Sequence, residues 1–202
     1  MTQGQSKQNE AISSQLTILD ALQNISLAQI QLAKPDAKLE GLDKSTDISQ
    51  DHWVASVLLD TSKAEIYFRV HFSTVIGREL LADHLKSDPT SFDPASVLDH
   101  LKEYCNMIMG RIKGALTSEM DSNSITKVFL PSVDPSYDRY KIIPTGNEKV
   151  FEERWWRIVW GGGEFILFAR VKSAGGFGEE VLKSLSQVHV ILVDNQGDIE
   201  ML

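Results

Sequence analysis

Residues 64–72 constrain the fold most strongly, because apolar and polar side chains alternate there without a break. The apolar set is Ala64, Ile66, Phe68, Val70 and Phe72. Period two predicts a β-strand with one buried face and one wet face. An apolar run at 53–60 precedes it, and the turn residues of 60–63 join the two. We therefore predict a β-hairpin, and with it an antiparallel sheet.

Further elements follow the hairpin along the chain. Ser73 can cap a helix over 74–85, and the longest helix is predicted over 95–119. The predicted strands are 125–133, ended by Asp134-Pro135, then a hairpin of 153–160 and 164–172 around Gly161-Gly162-Gly163, and a last strand over 188–193. This order predicts an α+β fold, an α/β two-layer sandwich whose largely antiparallel sheet has helices packed on one face.

The first 50 residues differ from the rest of the chain in their residue pattern. Residues 1–8 have the composition of a tail, and apolar residues then recur at three- and four-residue steps up to Pro35: Ile12, Leu16, Leu19, Leu22, Ile25 and Leu32. That spacing predicts an amphipathic helix, and the polar stretch 36–51 predicts a linker or long loop. The helix could bind a partner or pack on the main domain.

Charge and composition narrow the class of protein. A formal net charge of −8 argues against nucleic acid or an anionic membrane surface as the main partner. We find no apolar run of about 18 residues and no signal-like start, so a cytoplasmic protein without a membrane span is expected. Cys105 is the one cysteine, which leaves no intramolecular disulfide.

The helix over 95–119 carries two stripes at helical spacing. One stripe is apolar and must face the core: Leu98, Leu101, Cys105, Ile108, Ile112 and Ala115. The other lies on the opposite side: Asp99, Glu103, Asn106, Gly110 and Lys113. Glu103 and Asn106, at i and i+3, are therefore expected to project side by side into solvent. Taken alone, a Glu-x-x-Asn pair is more typical of a helix face that is only solvated than of a functional site.

Other candidate sites are weaker. The five histidines are scattered, and only His100 and Glu103 have helical ligand spacing, so no metal site is predicted. Cys105 lies on the apolar stripe, which favours a buried structural thiol. The loop at 175–178 lacks the lysine and hydroxyl of a P-loop and is interpreted as a flexible connection. Trp155, Trp156 and Trp160 favour core packing or a sheet-edge dimer contact over base stacking.

The string from Glu103 to Gly110, continued by Lys113, Leu116 and the segment 128–133, resembles the CheC/CheX family of chemotaxis phosphatases. That family carries Glu-x-x-Asn on its active helix, often followed by Met-Ile-x-Gly and then by a strand ending in Leu-Pro-x-Val. The resemblance spans about residues 53–172, so we divide the chain into an N-terminal region, 1–50, and a CheX-like phosphatase domain, 51–202. Met109 and Arg111 depart from the pattern, as does Asp134-Pro135.

This resemblance implies a function and roles for the stripe. Glu-x-x-Asn occurs once, at Glu103, as in single-site CheX-like members, which are typically homodimers. Such proteins accelerate hydrolysis of the phosphoaspartate on a CheY-like response regulator. Asn106 would orient the attacking water, and Glu103 would pair with the regulator's lysine. Asp99, Gly110 and Lys113 would contact the partner.

The family resemblance also implies that no cofactor belongs to this chain, since the regulator supplies the metal ion. The alternative is a module without catalytic activity that binds a response regulator or another partner through the same helix face. Sequence favours the enzyme because both residues of the motif are intact.

Overall fold

The computed structural model of the chain describes residues 17–42, 52–61, 64–119, 126–135 and 150–173. Helices over these ranges are α1 (Ile18–Gln31), α2 (Thr74–Leu85) and α3 (Pro94–Glu119), with a short 3-10 turn at Pro89–Ser91. The strands are β1 (Lys38–Gly41), β2 (Trp53–Thr61), β3 (Ala64–Phe72), β4 (Thr126–Val128), β5 (Ser132–Pro135), β6 (Val150–Trp160) and β7 (Gly163–Ser173).

The strands form one antiparallel sheet in the order β1-β6-β7-β3-β2-β4, and β5 also pairs with β2. The two predicted hairpins are present, β2–β3 and β6–β7. Within the β2–β3 hairpin Val57 lies opposite Phe68, and across the β3–β7 pairing that joins the two hairpins Phe68 lies opposite Ala169. The alternation of residues 64–72 is therefore a true strand period, since every residue of its apolar set is buried.

One face of the sheet and the three helices enclose a single hydrophobic core. Its largest buried side chains on the strands include Phe68, Phe72, Trp156 and Phe165. Helices α1 and α3 contribute Leu19, Leu22, Leu101 and Ile108 among others. This arrangement confirms the predicted α+β fold with helices packed on one face of the sheet.

Helix α1 packs in this same core and is not held apart from it. A capping box starts the helix, in which the Thr17 side chain accepts from the Asp20 backbone and Asp20 accepts from the Thr17 backbone. Arg154 of β6 forms an ion pair with Asp20 and donates a 2.8 Å hydrogen bond to Gln23. Of the two roles foreseen for the helix, packing on the domain is the one observed for residues 18–31.

Two parts of the predicted arrangement differ from the structure. The stretch 36–51 was predicted as a loop, yet β1 forms at Lys38–Gly41 and pairs with β6. All four of its residues are exposed at the sheet edge, so the sequence shows no period to detect. The strand predicted over 125–133 is instead two short strands, β4 and β5, separated by residues 129–131.

The other predictions can be placed as follows. Helices α2 and α3 lie where they were predicted, and the Ser73 side chain caps α2 by accepting from the Ile76 backbone. Trp156 and Trp160 pack in the main core, while Trp155 joins a smaller cluster with Ile166 and Phe168. Residues 1–16, the loop at 175–178 and the strand predicted over 188–193 lie outside the described residues.

Candidate functional site

Helix α3 is fixed to the molecule along its apolar stripe. Leu101, Cys105, Ile108 and Ile112 are fully buried, and Met109 is buried beside them. At its start, the Asp93 carboxylate accepts a 2.7 Å hydrogen bond from the Ser96 backbone. A helix held in this way along most of its length offers its opposite side as a stiff platform.

The platform carries the predicted polar stripe. Asp99, Glu103, Asn106 and Gly110 are exposed, as their spacing predicted, and Lys113 is half-buried. The Asn106 side-chain amide donates to a Glu103 carboxylate oxygen at 3.4 Å. That is a long hydrogen bond, so both side chains can turn toward another group at little cost.

Asp99 differs from Glu103 in its surroundings. Lys102 donates a 2.8 Å hydrogen bond to the Asp99 carboxylate, forming an exposed ion pair. Such a pair contributes little to stability because water and salt screen it. The ion pair with Lys102 does engage the Asp99 carboxylate. Within the stripe, the hydrogen-bonded pair is therefore Glu103 and Asn106.

The next residue of the stripe after Asn106 is Gly110, which has no side chain. A Cβ atom built on Gly110 would meet no atom within 4 Å, and the same is true of Gly114 one turn further on. Packing among the described residues therefore requires neither glycine. Gly110, one turn from Asn106, leaves room for another surface to approach the backbone of α3 there.

Tyr104, the residue after Glu103, links α3 to α1. The Tyr104 hydroxyl donates a 3.1 Å hydrogen bond to the Ser26 backbone carbonyl. Burial raises the pKa of Tyr104 well above its usual value, so the hydroxyl keeps its proton and remains a donor. This contact holds the helix turn from which Glu103 projects.

Cys105 behaves as its position predicted. Its side chain is fully buried, and burial raises the pKa of the thiol well above its usual value. The thiolate needed for nucleophilic chemistry is thus disfavoured, and the residue acts as a small apolar group of the core.

The histidine considered with Glu103 has another neighbour. The rings of His100 on α3 and His84 on α2 meet edge to face, 5.4 Å between centroids. Burial, and then the nearby His84, lower the pKa of His100 to about 4. Across the described ranges, no group of three or more His, Cys, Asp and Glu side chains is placed to hold a metal ion.

Two exposed apolar side chains between β4 and β5 were not foreseen. Phe129 and Leu130 lie between β4 and β5, where the sequence predicted one continuous strand. A run such as Val128-Phe129-Leu130 is typical of a buried strand, so the pattern gave no signal that the strand breaks there. Among the helices of the described residues, none is long and apolar enough to cross a membrane.

Comparison with known proteins gives the fold a precedent. No protein-family model matches the sequence, and no curated protein matches it at a significant level. Solved structures do match. A CheC-like superfamily protein from Shewanella sp. PV-4 is 13% identical with a TM-score of 0.57, over 76% of this chain and 96% of that one.

Two proteins described as CheX match similarly. The one from Vibrio vulnificus is 13% identical with a TM-score of 0.56, over 76% of this chain and 98% of that one. The one from Desulfovibrio desulfuricans is 16% identical with a TM-score of 0.51, over 75% and 97%. At this identity the likeness establishes a shared fold.

Proposed function

We propose, from the premise that this chain has the fold of CheC-like and CheX chemotaxis proteins, that it is a phosphatase of a CheY-like response regulator. Its substrate is the phosphoaspartate of the regulator. Asn106 orients the attacking water, and Glu103 pairs with the regulator's active-site lysine. The regulator supplies the metal ion.

One observation carries the proposal. Glu103 and Asn106 project together from the exposed side of α3, and their side chains lie within 3.4 Å of each other. The motif that resembles the family's is thus presented to a partner on a helix whose other side is buried. A polar pair scattered over a loop would have no such fixed geometry.

A side-chain amide is well suited to orient water for the hydrolysis of an acyl phosphate. An acyl phosphate is already reactive, so hydrolysis is limited by placing a water in line with the phosphorus. The Asn106 amide can donate to that water or accept from it without changing protonation near neutral pH. Good orientation of a nucleophile is worth several kcal/mol.

In this proposal Glu103 both positions the regulator on α3 and increases the affinity for it. A carboxylate beside the regulator's lysine forms a charge-assisted contact that strengthens as the interface excludes water. Because Glu103 is one turn from Asn106, that contact sets where the amide sits over the phosphoaspartate. Gly110 leaves room for the regulator's backbone at the next turn.

The test is the rate of dephosphorylation of purified CheY-like regulators labelled with radioactive phosphate. We expect the wild-type chain to accelerate it, and Asn106→Ala to lower the maximal rate about a hundredfold. Glu103→Gln should instead raise the regulator concentration needed for half the maximal rate, roughly tenfold. Arg111→Ala is the matched control, since Arg111 is exposed on the same helix about 140° from Asn106.

Two other outcomes would contradict the proposal, one in its activity and one in its site. If a regulator binds through Glu103 but loses phosphate no faster, the chain is an interaction module without catalytic activity. If Asn106→Ala hydrolyses as fast as wild type, the assignment of the water to Asn106 is wrong.

Two further expectations follow from the resemblance. We propose that the chain is a homodimer, which sedimentation of the purified protein tests through its molecular mass. We also propose that it acts in the cytoplasm, where CheY-like regulators are found, and fractionation of the source cell tests that location.

A further inference from the structure

The sheet has a second face, opposite the helices, whose middle is buried. Phe168 is fully buried there, and Trp155 and Ile166 are each 8% exposed. These three side chains form an apolar cluster with Leu42 and Tyr67, to which no helix of the described residues contributes. An antiparallel sheet that meets water on one face normally carries polar side chains there. The burial of this second face therefore needs a cover that the described helices do not supply.

The strand order shows which connection must cross the sheet. All pairings are antiparallel, so β5 and β6 run parallel to each other, with β2, β3 and β7 between them. Pro135 ends β5 opposite Trp53, whereas Val150 begins β6 opposite Lys172, at the other end of the sheet. Residues 136–149 must therefore pass over three strands to join the two.

The hand of the connections assigns this crossing to the second face. The chain passes from β3 to β4 through α2 and α3 on the helix face, moving outward past β2. The connection from β5 to β6 joins strands of the same direction but moves the opposite way across the sheet. Connections between parallel strands of one sheet are right-handed in about 98% of cases. Two right-handed connections that move in opposite ways must lie on opposite faces.

The length of residues 136–149 agrees with a path over the second face. The line from Pro135 to Val150 crosses about 19 Å of sheet and runs about 23 Å along the strands, or about 30 Å in all. A segment of this length spans at most about 50 Å. A path outside the helices would also have to rise and descend across a layer about 10 Å thick, which leaves almost no slack.

We propose that residues 136–149 lie across the second face and cover the apolar cluster around Phe168. The segment carries four large apolar side chains that suit such a surface: Tyr137, Tyr140, Ile142 and Ile143. Packing them on the cluster would remove apolar area on both sides from water. The second face is then internal, so contacts with a regulator or a second copy of the chain are left to α3 and the sheet edges. This inference does not depend on the proposed function.

The experiment measures how fast a thiol reagent labels a cysteine placed on the second face, in the full chain with Ile166→Cys. Cys105 is fully buried, so its thiol is labelled only if the protein unfolds, which makes it an internal control for folding. We expect Ile166→Cys to be labelled about a hundredfold more slowly than Val75→Cys, since Val75 is 61% exposed on α2.

Substitutions within the segment then test what gives the protection. Adding Ile142→Ser and Ile143→Ser to Ile166→Cys should raise its labelling rate about tenfold, because the cover loses apolar contact. Ile48→Ser is the matched control. It removes an apolar side chain from the connection between β1 and β2, the other segment that joins strands on opposite sides of the sheet.

Each other result overturns the inference. If Ile166→Cys is labelled as fast as Val75→Cys, the second face is open. If Ile48→Ser releases the labelling and the two substitutions at 142 and 143 do not, the cover is the connection from β1 to β2. If labelling speeds up on dilution as sedimentation shows dimers separating, a second copy covers the face.

A second measurement decides the case if the segment variant unfolds and Cys105 is labelled. A nitroxide spin label on Thr145→Cys leaves the apolar side chains of the segment in place. It should broaden the backbone amide NMR signals of Phe168 and Arg69 more than those of Leu19 and Ile25, which lie on α1 beyond the sheet. Stronger broadening on α1 would place the segment on the helix side and refute the proposal.

Discussion

Replacing Gly110 by alanine should stabilise the fold and weaken the proposed docking at the same time. Gly110 lies in the interior of α3, exposed, with helical neighbours on both sides. Glycine in such a position is unfavourable because the unfolded chain gains more freedom there than it would with alanine. Packing among the described residues gives no reason to keep glycine at this position, since an added Cβ meets none of their atoms within 4 Å outside its own helix turn.

The magnitude follows from helix propensity. Alanine is favoured over glycine in a helix interior by about 0.8–1 kcal/mol. No steric penalty offsets this, so the free energy of unfolding should rise by roughly that amount. The substitution should have the opposite effect on the proposed interface, where it should weaken regulator binding and lower the rate. A methyl group between α3 and an approaching backbone would push the regulator away from Asn106, and a misplacement of about 1 Å can lower a rate a hundredfold.

Gly114→Ala provides the matched control. Gly114 is also exposed in α3, and its added Cβ likewise meets nothing within 4 Å. It stands two turns beyond Asn106, outside the predicted stripe. Urea unfolding should show the same gain in stability for both variants. Dephosphorylation and regulator binding should be weakened roughly tenfold or more by Gly110→Ala and left near wild type by Gly114→Ala.

Two results would refute this reasoning separately. If Gly110→Ala destabilises the protein, the glycine is needed by a contact that the described residues do not contain. If it stabilises the protein but leaves binding and rate unchanged, no partner backbone comes close at that turn, and Gly110 drops out of the docking surface.

Two predictions concern stability alone. Gly77→Ala should lower the free energy of unfolding by about 1–3 kcal/mol, because the added Cβ would lie 2.8 Å from a Val97 methyl between α2 and α3; urea unfolding measures the loss, and adding Val97→Ala should recover part of it. Stability should also fall as pH drops from about 6.5, since burial, then the nearby His52 and Arg69, lower the pKa of His71 to about 3. At pH 5 the His71 side chain is therefore protonated in the unfolded chain and neutral in the folded chain. This difference lowers the free energy of unfolding by about 2 kcal/mol at that pH. Unfolding at pH 7 and pH 5 checks this, and His71→Phe should show a shallower loss; an equal loss in both proteins would contradict the assignment.

The parts of the fold that were predicted well are those with a strong period and two distinct faces. The hairpin at 53–72 and helix α3 each bury one side and expose the other, so their residue patterns repeat at two or at three to four positions. The exposed stripe from Asp99 to Gly110 could be located for the same reason. Its proposed roles come from the resemblance and not from the period.

The parts that were not predicted depend on contacts distant in sequence. Strand β1 exists because β6, more than a hundred residues later, pairs with it. The break at Phe129 and Leu130 arises where one partner strand, β2, receives two short strands in turn. The pairing of His84 with His100 depends on how α2 packs against α3. None of these leaves a local pattern.

The pairing of β1 with β6 also bears on the order in which the protein folds during synthesis. Helix α1 and β1 leave the ribosome before the other described helices and strands, but the core against which α1 packs includes α3, and β1 pairs with β6. The ion pair of Asp20 likewise forms only after Arg154 has been synthesised. Strand β1 therefore has no partner strand until Val150–Trp160 has been synthesised. Contacts this far apart in sequence close slowly, so β1 should dock late.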